Sequence, residues 1–291
     1  MGKENVYLNG RIIPADQAAI SISDAGFLHG ASCFTTMLAH NGVVFRLDRH
    51  LERLMDTVRL LSLRTDATPE ALRGATYNLL SANELKEARL RITLTPGSTP
   101  IGRAGGAEEG PAPTTVVTAS RLPEYPNSWY QQGISVTVTS FKQSRGDPTF
   151  GCKTGCYFTR VLARQEAAAK GAEEAIWYTA ENYLAESCFC NVFLVLKGKV
   201  CTPPRDTPVL PGIVRAAVIE LCGELKIDCD EETPLTVREM LAAEEIFLTS
   251  STTGVRPVVH VERHPVGDEQ PGQVTRIIMS AYKELVDKEC S

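Results

Sequence analysis

Apolar and polar positions alternate, run together or recur at helical spacing along this chain, and those patterns mark its elements. The opening VYLNGRIIP is two short β-prone runs around Asn9-Gly10. Both turn residues tolerate positive φ, so the stretch predicts a hairpin that begins an N-terminal sheet. In LDRHLERLMDTVRLLSL the apolar residues Leu51, Leu54, Val58 and Leu61 fall at helical spacing behind Asp48 as N-cap. TPEALRG opens a second helix near Thr68, with Thr at the N-cap, Pro at the first helical position and Glu in the first turn. RLRITLT (89–95) and TTVVTAS (114–120) read as strands. Between them, PGSTPIGRAGGAEEGPAP is long and rich in Gly and Pro. A loop of that length inside a compact domain is functional or disordered, which makes residues 96–113 a candidate lid.

RLPEYPNSWYQQG carries two prolines and separates this first series from a second. The second series reads as strand ISVTVTSF, helix 154–170, strand EEAIWYT and the β-rich ESCFCNVFLVLKGKVCTPP. Helix 212–225, a short helix near 237–243, strands EIFLTSS and VRPVVHV and a terminal helix from about Val274 complete it. Strands and helices mix without strict βαβ alternation, which predicts an α+β fold. The composition shift predicts a small N-terminal α/β domain over 1–121, an interdomain linker over 122–133 and a larger C-terminal domain over 134–291.

Composition adds exclusions. The chain has 291 residues, 43% hydrophobic and 22% charged, enough for a sizeable core. The net charge is −5 with no run of like charge, so nothing resembles a nucleic-acid footprint. No stretch approaches the roughly 18 apolar residues of a membrane helix, and MGKENVYLNG lacks the apolar segment of a signal peptide. The expectation is a cytoplasmic protein that meets small molecules or another subunit, with no nucleic acid and no membrane partner. Its nine cysteines show no paired spacing, and no C-x-x-C or zinc-spaced His occurs, so reduced thiols and no metal are expected.

Candidate chemistry begins with FGCKTGCYFTR, where Lys153 stands among small residues at the mouth of the predicted 154–170 helix. Its plain reading is a solvated lysine at a helix start. Glu186 lies where an apolar, Cys-rich run begins, and a carboxylate there is expected to be partly buried and to need a cation or donor. Other features suit an anion. LPGIVRAAV opens a helix with Pro211-Gly212, leaving the N–H groups of Ile213 and Val214 at the positive end of the helix dipole. LTSSTTGVRP collects Ser250, Ser251, Thr252 and Thr253 at the end of an apolar strand. Arg53 on HLERL either supplies counter-charge or pairs with an acid on its own helix.

Taken together with DAGFLHGASCFTTM and FRLDRHLERL near the N-terminus, these residues occur in the order and approximate spacing of the class IV aminotransferases. The chain resembles that family from about residue 5 to its C-terminus. This is the fold-type IV group of pyridoxal-phosphate enzymes, which includes branched-chain aminotransferases, D-amino acid aminotransferases, (R)-amine transaminases and aminodeoxychorismate lyases. The resemblance implies a small N-terminal α/β domain and a larger C-terminal domain whose mixed, largely antiparallel, barrel-like core is flanked by helices. It also implies pyridoxal 5′-phosphate as cofactor and a homodimer with the active site at the interface, the 96–113 loop being the cross-subunit element.

Residue by residue, Lys153 matches the lysine that forms the internal aldimine and then shuttles a proton at the substrate, and Glu186 matches the carboxylate on the pyridine nitrogen. Arg53, the Ile213 and Val214 amides, Ser251 and Thr252 match the phosphate site, with Thr253 on the substrate side. Tyr157 either approaches the cofactor or packs in the core. Among substrate positions, Arg91 aligns with an arginine near the substrate carboxylate of branched-chain enzymes, or faces solvent. Phe34 takes the aromatic position that is Phe in branched-chain enzymes. His29 stands where those enzymes carry a Tyr, and Leu38 where they carry an Arg. The Arg-x-His trap of D-amino acid enzymes falls on Ile101 and Arg103. CFTT (33–36) is more similar to some aminodeoxychorismate lyases. The implied reaction is amino-group transfer from a branched-chain L- or a D-amino acid to a 2-oxo acid, the alternatives being the lyase and a cofactor-binding homologue without turnover.

Overall fold

The computed structural model of the chain describes residues 4–98 and 112–291. They form two compact units, one of residues up to 123 with 152–156 and 287–291, the other of residues 124–151 and 157–286. The first unit is built on a six-stranded sheet. Strands β1 (Asn5–Leu8) and β2 (Arg11–Pro14) pair through Leu8 and Arg11 across the expected Asn9-Gly10 turn, whose φ values are 47° and 89°. The sheet continues with β3 (Cys33–His40), β4 (Val43–Val44), β5 (Ala88–Thr95) and β6 (Thr114–Arg121), in the order β2-β1-β6-β5-β3-β4. Short helix α1 (Ala25–His29) precedes β3, and α2 (Leu47–Leu60) and α3 (Pro69–Ala82) follow β4.

Alternation makes one sheet face apolar. Leu90, Ile92 and Leu94 of β5 are fully buried and join Leu51, Leu54 and Leu79 from α2 and α3 in one core, while Arg89 is exposed. Thr68 caps α3 by accepting from the Ala71 N–H at 3.2 Å, with Pro69 first in the helix, as the sequence predicts. The N-cap expected at Asp48 moves. Helix α2 starts at Leu47 after Arg46 in left-handed conformation, so Asp48 lies inside the first turn, where its charge suits the positive helix end. Buried Asp24 accepts from the hydroxyls of Thr95 and Thr114 at 2.8 and 2.7 Å, tying together the ends of β5 and β6. The 96–113 loop that joins them, apart from its first and last residues, lies outside the described residues, and so does Arg103.

In the second unit α4 (Ser128–Gln131) and β7 (Ile134–Gln143) are followed by α5 (Phe158–Ala169) and strands β8 (Glu174–Thr179), β9 (Leu184–Ser187), β10 (Asn191–Leu196) and β11 (Lys199–Cys201). Next come α6 (Ile213–Glu224), β12 (Cys229–Asp230), α7 (Val237–Leu241), β13 (Glu245–Ser250), β14 (Gly254–Val261), β15 (His264–Pro265) and α8 (Gln273–Glu289). Strands β10-β13-β14-β7-β8-β9 form a circle, because β9 returns to β10 through Glu186 opposite Asn191. The result is a closed six-stranded barrel in a mixed helix-and-sheet fold, as the α+β expectation requires. Its core includes Ile134, Ile176, Val192 and Leu248. Among the described residues no helix is long and apolar enough to cross a membrane.

Candidate active site

Lys153 does not stand at a helix mouth. Helix α5 begins five residues later, at Phe158, and 152–156 is instead a non-helical segment bridged to the start of β3. The Phe34 N–H donates to the Lys153 carbonyl at 2.8 Å, the Gly155 N–H donates to the Ser32 carbonyl at 2.8 Å, and Thr154 bridges Cys33. Main-chain pairing therefore fixes the lysine, whatever its side chain does. The small neighbour Gly155 has a matching cause: a Cβ there would overlap Ser32 Oγ and press on the Gly30 carbonyl. Contact with Ser32 and Gly30 is the reason the structure gives for it.

Lys153 Nζ lies 4.9 Å from the centroid of buried Phe34, and the Arg91 guanidinium covers the same ring at 3.5 Å. Arg91 is half-buried and donates from Nε to Thr93 Oγ1 at 3.0 Å. His29 is exposed in the last turn of α1. Behind β3, Arg53 donates to Thr35 Oγ1 at 3.1 Å, and that oxygen lies 2.8 Å from Nδ1 of buried His50. A hydroxyl that accepts from a guanidinium still has its hydrogen to give, so Thr35 is able to donate to Nδ1 of a neutral ring. Burial, then the charges of Arg53 and Lys153, hold His50 well below its ordinary 6.5.

That shift has a consequence for stability. The unfolded histidine takes up its proton first as pH falls, so the stabilisation present above pH 6.5 is lost below it. The parent protein should lose stability faster than His50→Asn, by about 1.4 kcal/mol per pH unit once the unfolded histidine is charged. Denaturant unfolding of the apoprotein between about pH 5 and 7.5 checks this, and parallel curves for the two proteins would contradict it.

In the second unit Glu186 is 4% exposed on β9. Its Oε1 accepts from Arg160 at 2.6 Å and from Gln143 Nε2 at 3.1 Å, and its Oε2 accepts from the Leu210 N–H at 3.0 Å. The acid is thus buried and paired, and its cation is Arg160. Burial alone would disfavour the Arg160 charge, but the adjoining Glu186 outweighs it and raises the arginine above its ordinary value. Tyr157 is half-buried, stacked on Phe189 with centroids 5.8 Å apart.

Leu210 links this acid to α6. Its carbonyl accepts from Asn191 Nδ2 at 2.9 Å while its N–H serves Glu186. Two residues on, Gly212 is the N-cap of α6 and supplies no side-chain cap, so among the described residues the Ile213 and Val214 amides begin the helix without a capping side chain. A Cβ at Gly212 would overlap Asn191 Oδ1. The hydroxyl turn after β13 is ordered too: Ser250 Oγ and Thr253 Oγ1 are 2.6 Å apart, and Tyr130 donates to the Thr253 carbonyl at 3.0 Å. Ser251 and Thr252 are half-buried at its tip.

These two clusters lie within the span of a known family. The sequence profile of amino-transferase class IV matches residues 32–261. The chain belongs to the class IV aminotransferases. The D-alanine aminotransferase of Bacillus licheniformis is 28% identical over 286 residues, covering 98% of this chain and 98% of the relative. The branched-chain-amino-acid aminotransferase of Escherichia coli K12 is 27% identical over 291 residues, covering 98% and 93%. The crystal structure of the Escherichia coli branched-chain amino acid aminotransferase superposes with a TM-score of 0.93 at 26% identity, covering 99% of this chain and 96% of that one. As a class IV aminotransferase the chain is a pyridoxal-phosphate-dependent transaminase.

Arg160, Gln143, Thr35 and His50 escape a reading of the sequence. Only His50 carries a local signal, since it falls on the buried stripe of α2 with Leu47, Leu51 and Leu54.

Proposed function

We propose that this transaminase moves an amino group from a branched-chain L- or a D-amino acid to a 2-oxo acid in two half-reactions, using Lys153 as the covalent anchor of pyridoxal 5′-phosphate. The observation that carries the reading is the Glu186 carboxylate. A carboxylate offers about four acceptor positions, and three N–H donors leave one on Oε2, which suits a protonated ring nitrogen. The uncapped start of α6 suits the cofactor's other end, where a phosphate would meet the Ile213 and Val214 amides with Ser251, Thr252 and Arg53.

Bound, the cofactor supplies an aldehyde and a ring that accepts the electron pair left when a Cα proton departs. Lys153 would carry that proton between the substrate Cα and the cofactor carbon that bears the aldehyde, one way in each half-reaction, a task for an amine whose pKa falls readily when water is excluded. Glu186 holds the ring nitrogen's proton in place. Phe34 walls the substrate, Arg91 and Arg103 take carboxylate charge, and Thr253 and His29 complete the substrate side, with Tyr157 beside the cofactor. Exposed Ile20, Ile22, Phe27 and Leu28 on one short stretch support a homodimer, which light scattering would show at twice the chain mass.

Absorbance of the holoenzyme on adding single amino acids tests the reading. Conversion to the pyridoxamine form by branched-chain L- or by D-amino acids, reversed by a 2-oxo acid, is the expected result. Pyruvate release from aminodeoxychorismate without that conversion would make the protein a lyase, and no reaction with any amine would contradict turnover.

A further inference from the structure

Arg160 stands seven residues beyond Lys153, and the proposed reaction gives it no task. Its guanidinium is nevertheless tightly held. One terminal nitrogen, Nη1, donates to the Ser187 and Cys188 carbonyls at 3.1 and 3.0 Å, fastening Arg160 to the turn that leaves β9. The other, Nη2, donates to Glu186 Oε1 at 2.6 Å. The guanidinium carbon lies 5.5 Å from the centroid of Tyr157 and 5.6 Å from that of Trp177.

We propose that Arg160 is a positioning residue for transamination: it locks the Glu186 carboxylate in the one rotation that leaves an Oε2 acceptor position for the cofactor's ring nitrogen. The terminal torsion of a glutamate is soft and roughly two-fold, so burial alone does not orient it. Arg160 and Gln143 together occupy Oε1, and the Leu210 N–H takes one side of Oε2. Gln143 is fully buried and its own Oε1 has no partner among the described residues. Its amide therefore cannot turn over without setting oxygen against the carboxylate, so it reinforces the same rotation. Arginine suits the post because its planar fork reaches two carbonyls and a carboxylate at once, which an ammonium does not reproduce.

The inference rests on the assignment of Glu186 to the ring nitrogen, and its test separates the two. Apoproteins of the parent, Arg160→Gln, Arg160→Lys and Glu186→Gln are loaded with pyridoxal 5′-phosphate labelled with ¹⁵N in the ring. Two quantities are read near neutral pH: the ring-nitrogen resonance, and cofactor affinity by fluorescence titration. Arg160→Gln should move the resonance towards that of an unprotonated ring and weaken binding by about 10- to 100-fold, as losing the outer partner of a metal ligand weakens metal binding. Arg160→Lys should fall between it and the parent. A folded Arg160→Gln protein with the parent's resonance and an affinity within about twofold overturns the proposal. Should that variant not fold, Arg160→Lys decides: an unmoved resonance with unchanged affinity overturns it, and a shifted resonance with weaker binding supports it. If Glu186→Gln keeps the parent's resonance, the Glu186 assignment is what fails.

Discussion

Replacing Lys153 by alanine is expected to lower kcat/KM for amino-group transfer by about 10⁴-fold or more while leaving the fold in place. The loss is large because one amine is asked both to anchor the cofactor and to move the Cα proton. The fold survives because the segment is fastened by main-chain bonds, Phe34 N–H to the Lys153 carbonyl and Gly155 N–H to the Ser32 carbonyl, which alanine keeps. Stability should change by less than about 1 kcal/mol in denaturant unfolding. Lys153→Arg should fare no better in turnover, since a guanidinium stays protonated and cannot accept the proton. A Lys153→Ala protein that transfers amino groups within about tenfold of the parent rate would contradict the assignment.

The second large effect is at Glu186. Glu186→Gln leaves the Arg160 guanidinium, 14% exposed, without a counter-charge, and breaking such a pair from one side costs about 3–5 kcal/mol of folding stability. Turnover should fall by about 10²-fold or more as well, because the ring nitrogen loses the charge that holds its proton. The two losses separate in the double variant Arg160→Met/Glu186→Leu. Apolar replacement of both partners should recover most of the stability and none of the activity. A Glu186→Gln protein with parental turnover would remove Glu186 from the cofactor site. A double variant as unstable as the single one would mean that the loss does not come from the unpaired charge but from packing or from the Gln143 and Leu210 donors left without an acceptor.

What neighbours in the chain decide is legible in the sequence. The Asn9-Gly10 hairpin, the Thr68-Pro69 helix start and the alternating strands 89–95 and 114–120 are each written in a few consecutive residues, and β1, β2, α3, β5 and β6 follow them. The hydroxyl-rich turn after an apolar strand was equally local, as was the uncapped Pro211-Gly212 helix start. What is not legible there depends on distant pairing. The segment around Lys153 reads as the beginning of a helix because nothing beside it shows that Cys33 and Phe34, more than a hundred residues earlier, hold its backbone out of the helix. CFTTMLAH, which is β3, mixes small, polar and apolar residues and announces no strand until β5 lies beside it. Burial of Glu186 was legible from the apolar run it opens, but its partners were not. Arg160 and Gln143 reach it from a helix and a strand that meet β9 only when the barrel closes.

The most direct test of the account is to reduce the freshly purified, cofactor-loaded enzyme with borohydride, digest it and locate the phosphopyridoxyl group by peptide mass spectrometry. The account predicts that the label sits on Lys153, in the peptide that contains GCKTGCYF. A label on any other lysine, or a reduced protein that carries none, would contradict it.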